Sequence, residues 1–281
     1  MAENEETQRE SFTKIPSGIS SIDLASSGGL PKGSFVVLFG KTGTGKEAFM
    51  QTSASMNAAM KLGKLPKPKK EDVGLPNKIL YILLSKTKED VKRDVKIGYS
   101  EDLSEAFNKG VEFNELMSDY YASTLMSLQS EEAPLESDQS EEEEAIEIVR
   151  SIINYLDELG KNNLIILDSL NDLIRAFPSG EEKRLLASLR TIRTQNKQKW
   201  NSLILNRLTS DIFPENVEES ILSASNGVFS FQSTSSGGSR TRNLICDKFD
   251  GITSSELLDS TFEYNITKSG FEARRTDLLE V

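Results

Sequence analysis

The sequence predicts an α/β fold in which helices flank a mostly parallel central sheet and antiparallel strands follow near the C-terminal end. Three observations support this prediction: short uninterrupted apolar runs, helical segments between them, and a change of pattern after residue 226. Strands buried on both faces appear as continuous apolar runs, and parallel sheets covered by helices bury both faces. The runs are "FVVLF" (35–39), "ILYILL" (79–84), "LIIL" (164–167) and "LIL" (203–205), with "VFSF" (228–231) as a weaker case.

Three helical segments alternate with these runs, at residues 46–61, 141–159 and 181–198. In the second segment, Ser140 and Glu143 predict a capping box at the start, and Gly160 ends the helix. The two later segments carry apolar stripes at spacings of three and four residues. The stripes are Ile146, Val149, Ile153, Leu156 and Leu159, and Leu185, Leu186, Leu189 and Ile192. This alternation predicts a doubly wound sheet.

The pattern after residue 226 is typical of antiparallel hairpins. The stretch "GVFSFQSTSSGGSRTRNLICDKF" (227–249) contains two strand-like runs joined by a Ser/Gly turn. The stretch "STFEYNITKSGFEARR" (260–275) predicts a second hairpin. Antiparallel strands at the edge of a parallel sheet are common, so both hairpins fit the same sheet.

The chain of 281 residues predicts one domain, spanning 14–281, after a disordered lead at 1–13. A Lys/Pro-rich loop at 63–78 and an acidic low-complexity insert at 127–144 interrupt the pattern. The net charge of −11 is local, because residues 110–149 contain twelve acids and no Lys or Arg, which leaves +1 for the rest. The insert is interpreted as a mobile, solvated linker; a contact for a basic partner is the alternative.

Composition also excludes several classes of protein. With no run of 18 apolar residues, no membrane span is expected, and the polar start "MAENEETQRESFTK" excludes a signal peptide. The absence of histidine removes Ser-His and Cys-His catalysis and the usual zinc sites. The single cysteine, Cys246, excludes an internal disulfide and suits a reducing compartment, so a cytoplasmic location is expected. No basic face argues for a nucleic acid partner.

The stretch "GKTGTGKE" (40–47) matches the phosphate-binding loop G-x-x-x-x-G-K-[ST] at seven of eight positions. It lies between a buried run and a helical segment, the context in which backbone N–H groups and a helix N-terminus hold phosphate. The residues predicted to bind the nucleotide are Gly40, Lys41, Thr42, Gly43, Thr44, Gly45, Lys46 and Glu47. Glu47 stands where a small hydroxyl would ordinarily hold magnesium, so Mg²⁺ is expected to bind weakly or in an altered way.

A second expected element is an acid at the carboxyl end of another buried strand. Asp168 follows "LIIL" and is predicted to hold the water bound to magnesium. The alternative role for Asp168 is that of a helix N-cap for the segment "SLNDLIRAF".

These motifs resemble the KaiC-like branch of the RecA superfamily of ATPases, over residues 14 to 280. The opening "KIPSGISSIDLASSGGLPKGSFVVLFGKTGTGK" is similar to that family's lead into its phosphate loop. The matching residues in this lead are Gly18, Asp23, Gly28, Gly29, Leu30, Pro31 and Gly33. "SASNGVFSF", "RNLICDKFDG" and "FEYNITKSGFEA" resemble its late strands. The resemblance implies one RecA-like domain that binds ATP and associates with further copies of itself.

The sequence departs from the family pattern at three places. Glu47 replaces a Thr, and Ser85 with Lys86 replaces the adjacent acids that polarise the attacking water. The closing K-x-R-G becomes Lys248-Phe249-Asp250-Gly251, so an acid replaces the arginine. In the family this Lys and Arg reach the γ-phosphate of a neighbouring subunit, which implies such a role for Lys248. A general base is worth ~10²–10⁴ in rate and an arginine finger ~10³–10⁵, so little or no hydrolysis is expected.

Four hypotheses stay open at this point. The first is an ATP-binding regulatory protein, degenerate in catalysis, that assembles with itself or with a protein partner. The second is a slow ATPase with an unusual magnesium shell, and the third is a scaffold whose site is empty. Recombinase-type DNA binding is the fourth and has little support, because "RAFPSGEEKR" (175–184) has mixed charge and no helix-hairpin-helix module precedes the domain. For Glu47, direct ligation of magnesium and repulsion of the triphosphate are the two alternatives.

Overall fold

The structure is a computed structural model that describes residues 12–116, 138–178, 180–236, 239–252 and 255–276. Within these residues a nine-stranded sheet forms the centre, and a two-stranded sheet made by β1 (Lys14–Ile15) and β2 (Leu30–Pro31) accompanies it. The strands of the central sheet are β3 (Phe35–Gly40), β4 (Ile79–Leu83), β5 (Glu112–Glu115), β6 (Leu164–Asp168), β7 (Leu203–Thr209), β8 (Gly227–Ser236), β9 (Ser239–Phe249), β10 (Thr261–Thr267) and β11 (Gly270–Thr276).

The strand order of the central sheet is β11-β10-β9-β8-β3-β7-β6-β4-β5. From β8 to β5 all neighbouring strands run parallel. From β8 to β11 the neighbours run antiparallel. The mostly parallel sheet with antiparallel C-terminal strands confirms the fold class that the sequence predicts.

Helices cover both faces of the sheet. They are α1 (Ser20–Ala25), α2 (Lys46–Lys61), α3 (Lys88–Gly98), α4 (Glu101–Gly110), α5 (Asp138–Glu158), α6 (Leu170–Arg175), α7 (Glu182–Gln195), α8 (Glu215–Ala224) and α9 (Ser255–Leu258). Successive residues of β3 belong to opposite cores: Val36 and Leu38 pack with the core of α2, and Val37 packs with that of α5 and α7. Because both faces are buried, the strands need apolar residues at every position, which explains the uninterrupted runs.

Helix α5 begins earlier than the sequence predicts. It spans Asp138–Glu158, so Ser140 lies inside the helix and the predicted capping box does not mark its start. Val149 and Leu156 of the predicted stripe are buried, together with Ile152. Residues 127–137 of the acidic insert lie outside the described residues, and residues 138–144 belong to α5.

The predicted helix at 181–198 ends as an α-helix at Gln195 and continues as a π-helical turn at Asn196–Trp200. Tertiary contacts explain the wider turn. The indole of Trp200 is buried, and its Nε1 donates a hydrogen bond to Asp157 Oδ1 at 2.7 Å. The buried amide of Asn196 donates to the carbonyls of Ser34 and Ser202 at 3.2 and 2.9 Å. These contacts give the buried polar groups of the wider turn their hydrogen-bond partners.

The predicted loop and the predicted N-terminal lead each contain a buried residue in the part of the chain that the structure describes. Residues 63–78, predicted as a loop, contain no helix or strand of their own, although Val73 is buried. Residues 1–11 of the predicted lead lie outside the described residues, and Phe12 is buried beneath the Lys32 ammonium, which is 4.0 Å from its ring centre. In the described part of the chain, no helix is long and apolar enough to cross a membrane.

Candidate functional site

The phosphate loop joins the carboxyl end of β3 to the N-terminus of α2. Gly45 precedes the helix in a left-handed conformation, with φ of 99°. Gly40 has φ of 149°, and a Cβ there would come 2.4 Å from the carbonyl oxygen of Phe231 on β8. The neighbouring strand β8 packs so closely against the start of the loop that only glycine fits at this position. The α2 helix that follows has 16 residues and points its positive N-terminal end at the loop.

Lys46 folds back over its own loop. Lys46 is only 5% exposed. Its Nζ donates hydrogen bonds to the carbonyl of Gly40 and, at 2.8 Å, to the carbonyl of Lys41. Burial lowers the pKa of Lys46 to about 8, and the nearby positive charge of Arg207 adds to this effect. The ammonium therefore lies at the centre of the loop, where an incoming phosphate would exchange with the carbonyl oxygens.

Glu47 is engaged by a cation. Its Oε1 accepts a hydrogen bond from Lys86 Nζ in an ion pair whose side chains are 32% and 29% exposed. The same oxygen accepts from Gln51 Nε2 at 3.2 Å. Lys86 follows β4, where the resembling family would place an acid. The structure thus gives Glu47 a partner that neither sequence-based hypothesis included.

Asp168 is also paired with a cation. It is fully buried at the end of β6, and its Oδ1 accepts a hydrogen bond from Arg207 Nε. Strand register explains the contact, since Leu167 lies opposite Asn206 and the next residues, Asp168 and Arg207, therefore fall side by side. Burial raises the pKa of Asp168 and the Arg207 guanidinium opposes the rise. Tyr81 OH lies 3.5 Å from Asp168 Oδ2.

The C-terminal strands complete one wall of the site. Arg240 of β9 donates from Nη2 to the carbonyl of Gly43 at 3.1 Å and from Nε to Ser233 Oγ at 2.6 Å. Tyr264 of β10 donates its hydroxyl to the carbonyl of Thr44. A cleft of about 580 Å³ opens between the loop and β8, lined by Lys41, Thr42 and Arg240 among others. Its size is within the range of small-molecule sites.

A further carboxylate lies beside the position that lacks the catalytic acids. Ser85 Oγ donates to Asp172 Oδ2 at 2.8 Å, and Ser169 Oγ donates to the same oxygen. Asp172 belongs to α6, directly after β6. The site therefore holds an acid near Ser85, although it comes from a different element than in the resembling family.

Lys248 does not join this group within one chain. Lys248 lies opposite Val228 of β8, and Val228 lies opposite Val37 of β3. Gly40, where the phosphate loop begins, lies opposite Phe231, three residues further along β8. Lys248 is therefore closer to the amino end of β3 than the loop is. Its Nζ donates to the carbonyls of Ser223 and Ser225 at 3.0 and 2.8 Å. The expected role of Lys248 at a neighbouring subunit's nucleotide stays a prediction.

The donor set fits phosphate better than it fits magnesium. In the residues that the structure describes, no group of three or more Asp, Glu, His or Cys side chains is placed to hold a metal ion. Glu47 and Asp168 are each bound to a cation, and the hydroxyl ligand of ordinary phosphate loops is absent. The loop itself keeps its lysine, its glycines and its helix N-terminus, the groups that hold phosphate oxygens.

Sequence reasoning missed Arg207, Arg240, Tyr264 and Asp172. One signal was available for Arg207: a cation at the carboxyl end of the apolar run "LILNRL", on the same edge of the sheet as Asp168. The others carry no comparable signal, because their positions follow from how the C-terminal strands and α6 pack on the loop.

Comparisons with known proteins agree with this architecture. No family model matches the chain, and no curated protein matches it. A solved structure of a KaiC-like protein from the hyperthermophilic archaeon Pyrococcus horikoshii matches with a TM-score of 0.58 and 16% identity, covering 94% of this chain and 99% of that one. At this identity the match shows the fold, and activity does not follow from a fold. The chain therefore has a KaiC-like, RecA-type fold, as its sequence predicts.

Proposed function

We propose that this protein is an ATP-binding regulatory protein that hydrolyses ATP weakly or not at all. The observation that supports ATP binding is the phosphate loop, in which Lys46 is buried against the loop carbonyls beside an open cleft of about 580 Å³. Triphosphate would lie against the loop N–H groups and Lys46, and the rest of the nucleotide would extend into the cleft between the loop and β8.

Weak hydrolysis is inferred from the groups around the expected γ-phosphate. Both carboxylates that would organise a metal, Glu47 and Asp168, are held in ion pairs. Ser85 and Lys86 supply no acid from the end of β4, and Asp250 pairs with Arg193 at 3.2 Å where the resembling family has an arginine. Each lost catalytic group removes ~10²–10⁵ in rate, which favours binding over turnover.

A slow ATPase is the second candidate, and Asp172 favours it. One oxygen of this carboxylate accepts hydrogen bonds from Ser85 and Ser169, so the group is fixed near the position of the missing acids. In this candidate, Asp172 would orient the attacking water through Ser85. Phosphate release that Asp172→Asn abolishes would favour this second function.

The proposal includes a cytoplasmic location and assembly with further copies of the chain or with a protein partner. Cys246 supports the location, because it is a buried free thiol of the kind that reducing compartments preserve. Burial raises the pKa of this thiol to about 12, which keeps it unreactive. Support for assembly comes from Lys248, the one retained member of the pair that reaches a neighbour in the resembling family.

Titration with a fluorescent ATP analogue, followed by a phosphate-release assay, tests the proposal. Lys46→Ala removes a charge-assisted contact worth ~1.5–3 kcal/mol, so affinity should fall by roughly ten- to a hundredfold. Lys96→Ala, an exposed position at the end of α3, is the matched control and should bind as the unaltered protein does. Unchanged affinity in a folded Lys46→Ala variant would mean that the loop is not the site. Robust turnover abolished by Lys46→Ala would replace the proposal with an active ATPase.

A further inference from the structure

The inference here rests on the proposed function and concerns the metal. We propose that this site binds ATP as the metal-free anion, with Lys86 and Arg207 supplying the positive charge that a divalent cation supplies in other phosphate-loop proteins. It follows from which atoms the two carboxylates of the site contact.

The first step is that both metal-binding positions are taken by cations of the chain itself. Lys86 Nζ is bound to Glu47 Oε1, at the position of the missing hydroxyl ligand. Arg207 Nε is bound to Asp168 Oδ1, at the position that would hold the water of the metal. A magnesium ion would have to bind each carboxylate beside a cation that already compensates its charge, and magnesium demands near-ideal octahedral geometry from its oxygen ligands.

The second step is that the two ion pairs act as one cluster. Burial is the largest influence on the pKa of Asp168, and the charges of Arg207, Glu47 and Lys86 also act on it. Arg207 in turn acts on Lys46 in the loop. The three cations of the cluster balance Glu47, Asp168 and the neighbouring Asp172. No net negative charge is then left in the cluster to attract a divalent cation, whereas the N-terminal end of α2 adds positive potential that attracts a polyphosphate anion.

The third step is that the cations stay available to a ligand. The Lys86 and Glu47 side chains are 29% and 32% exposed, so one side of this ion pair faces solvent at the edge of the site. Each ammonium has three donors, of which the Glu47 contact uses one, so Lys86 retains donors for a phosphate oxygen. Arg207, with five donors and 20% side-chain exposure, likewise keeps donors beyond its contact with Asp168.

The test is to titrate the full chain with a fluorescent ATP analogue in excess EDTA and again with excess Mg²⁺. The expected result is a Kd in EDTA that equals the Kd in Mg²⁺ within about threefold or is lower, because no metal bridge is made. A Kd in EDTA more than about tenfold higher would overturn this inference and leave the proposed function intact. No binding under either condition would remove the proposed function and this inference with it.

A charge-matched pair of variants tests the role assigned to Lys86. Lys86→Met should raise the Kd in EDTA by about tenfold, and added Mg²⁺ should recover part of that loss because Glu47 is freed to accept a metal. Lys88→Met removes the same charge two residues away, at the first turn of α3, and should leave both Kd values unchanged. Because Lys86 is partly exposed, its loss should leave the melting temperature close to that of the unaltered protein, which checks that the variant is folded. Metal-free affinity that is equal in the two variants would overturn the assignment.

Discussion

Glu47 occupies the position where phosphate loops ordinarily carry Ser or Thr, and its carboxylate forms an ion pair with Lys86. Arg207 engages Asp168 in the same manner on the neighbouring strands. The Glu47–Lys86 pair is partly exposed to solvent, so it is expected to contribute little to stability, whereas Asp168 is fully buried in its pair with Arg207. Substitutions of Glu47 and of Lys46 test how the charges of the site act on a bound nucleotide.

Glu47→Thr is expected to tighten ATP binding. The change removes a carboxylate, frees Lys86 and restores the usual hydroxyl, so the site becomes more positive. A unit charge about 4 Å from a phosphate at an effective dielectric near 20 interacts by about 4 kcal/mol, of which solvent screening leaves a fraction, so a roughly tenfold fall in Kd is expected. Equilibrium titration measures it, and phosphate release should stay near background. A weaker complex would show that Glu47 acts as a ligand of the nucleotide-bound metal.

ATP affinity is expected to fall as the pH rises through about 8. The pKa of Lys46 is lowered to about 8, chiefly by burial, so the ammonium is charged below that pH and neutral above it. Phosphate prefers the charged form, so affinity is highest below pH 8 and falls by up to about tenfold per pH unit above it. Titrations between about pH 6.5 and 9.5 give the profile. Lys46→Met should bind weakly with a flat profile; the same slope in that variant would assign the titration to another group.

At the scale of elements, the loop is held between its own helix and strands that come much later in the chain. Arg240 and Tyr264 hydrogen-bond to the carbonyls of Gly43 and Thr44, and Phe231 packs against Gly40. The conformation of the loop therefore depends on β8, β9 and β10 as well as on its own glycines. A side chain added where the loop contacts β8, at Gly40, should therefore lower stability more than one added at Gly43, where a Cβ would have no neighbour within 4 Å.

Gly40→Ala and Gly43→Ala form a matched pair for this expectation. Both residues have positive φ, so each alanine carries a conformational cost of about 1 kcal/mol. A Cβ at Gly40 would also meet the Phe231 carbonyl at 2.4 Å, whereas a Cβ at Gly43 meets nothing within 4 Å. Overpacking of this kind costs ~1–3 kcal/mol more, so Gly40→Ala should unfold at a clearly lower denaturant concentration. Equal midpoints for the two variants would contradict the close packing of β8 on the loop.

At the scale of the whole molecule, the loop site lies at the carboxyl ends of the parallel strands, and Lys248 lies toward the other end of β3. One chain therefore does not bring Lys248 to its own loop. If Lys248 acts on a nucleotide, it does so across an interface between two copies of the chain, with the contacts to Ser223 and Ser225 exchanged for a phosphate.

The chain is accordingly expected to form a ring or a smaller open assembly in the presence of ATP. Light scattering at saturating ATP, with and without Mg²⁺, measures the mass. Lys248→Ala should weaken the assembly, and Lys268→Ala, which removes an exposed lysine from the turn between β10 and β11, is the control. A monomer under all these conditions would remove the role of Lys248 at a neighbouring site.

Sequence by itself determined the central strands, the loop and the chemistry expected of it, whereas no apolar run predicts β1, β2 or β5. The runs at 35–39, 79–84 and 164–167 predict β3, β4 and β6 to within a residue, because a strand buried on both faces must be apolar throughout. Glycine spacing and Lys46 identify the loop, because the local backbone geometry that phosphate requires is encoded in neighbouring residues. The sequence places the start of α5 three residues too late. It also does not predict the π-helical turn after α7, whose side chains contact distant segments.

Only the tertiary structure decided which charges meet. Glu47 and Lys86 are 39 residues apart in the chain, and so are Asp168 and Arg207. The order and register of β3, β7, β6 and β4 bring their carboxyl ends to one edge of the sheet, and that juxtaposition pairs Glu47 with Lys86 and Asp168 with Arg207. Hydrophobic periodicity determines which face of an element is buried, but it carries no information about which strand lies next to which. The electrostatic character of the site is therefore a property of the strand order and not of any motif.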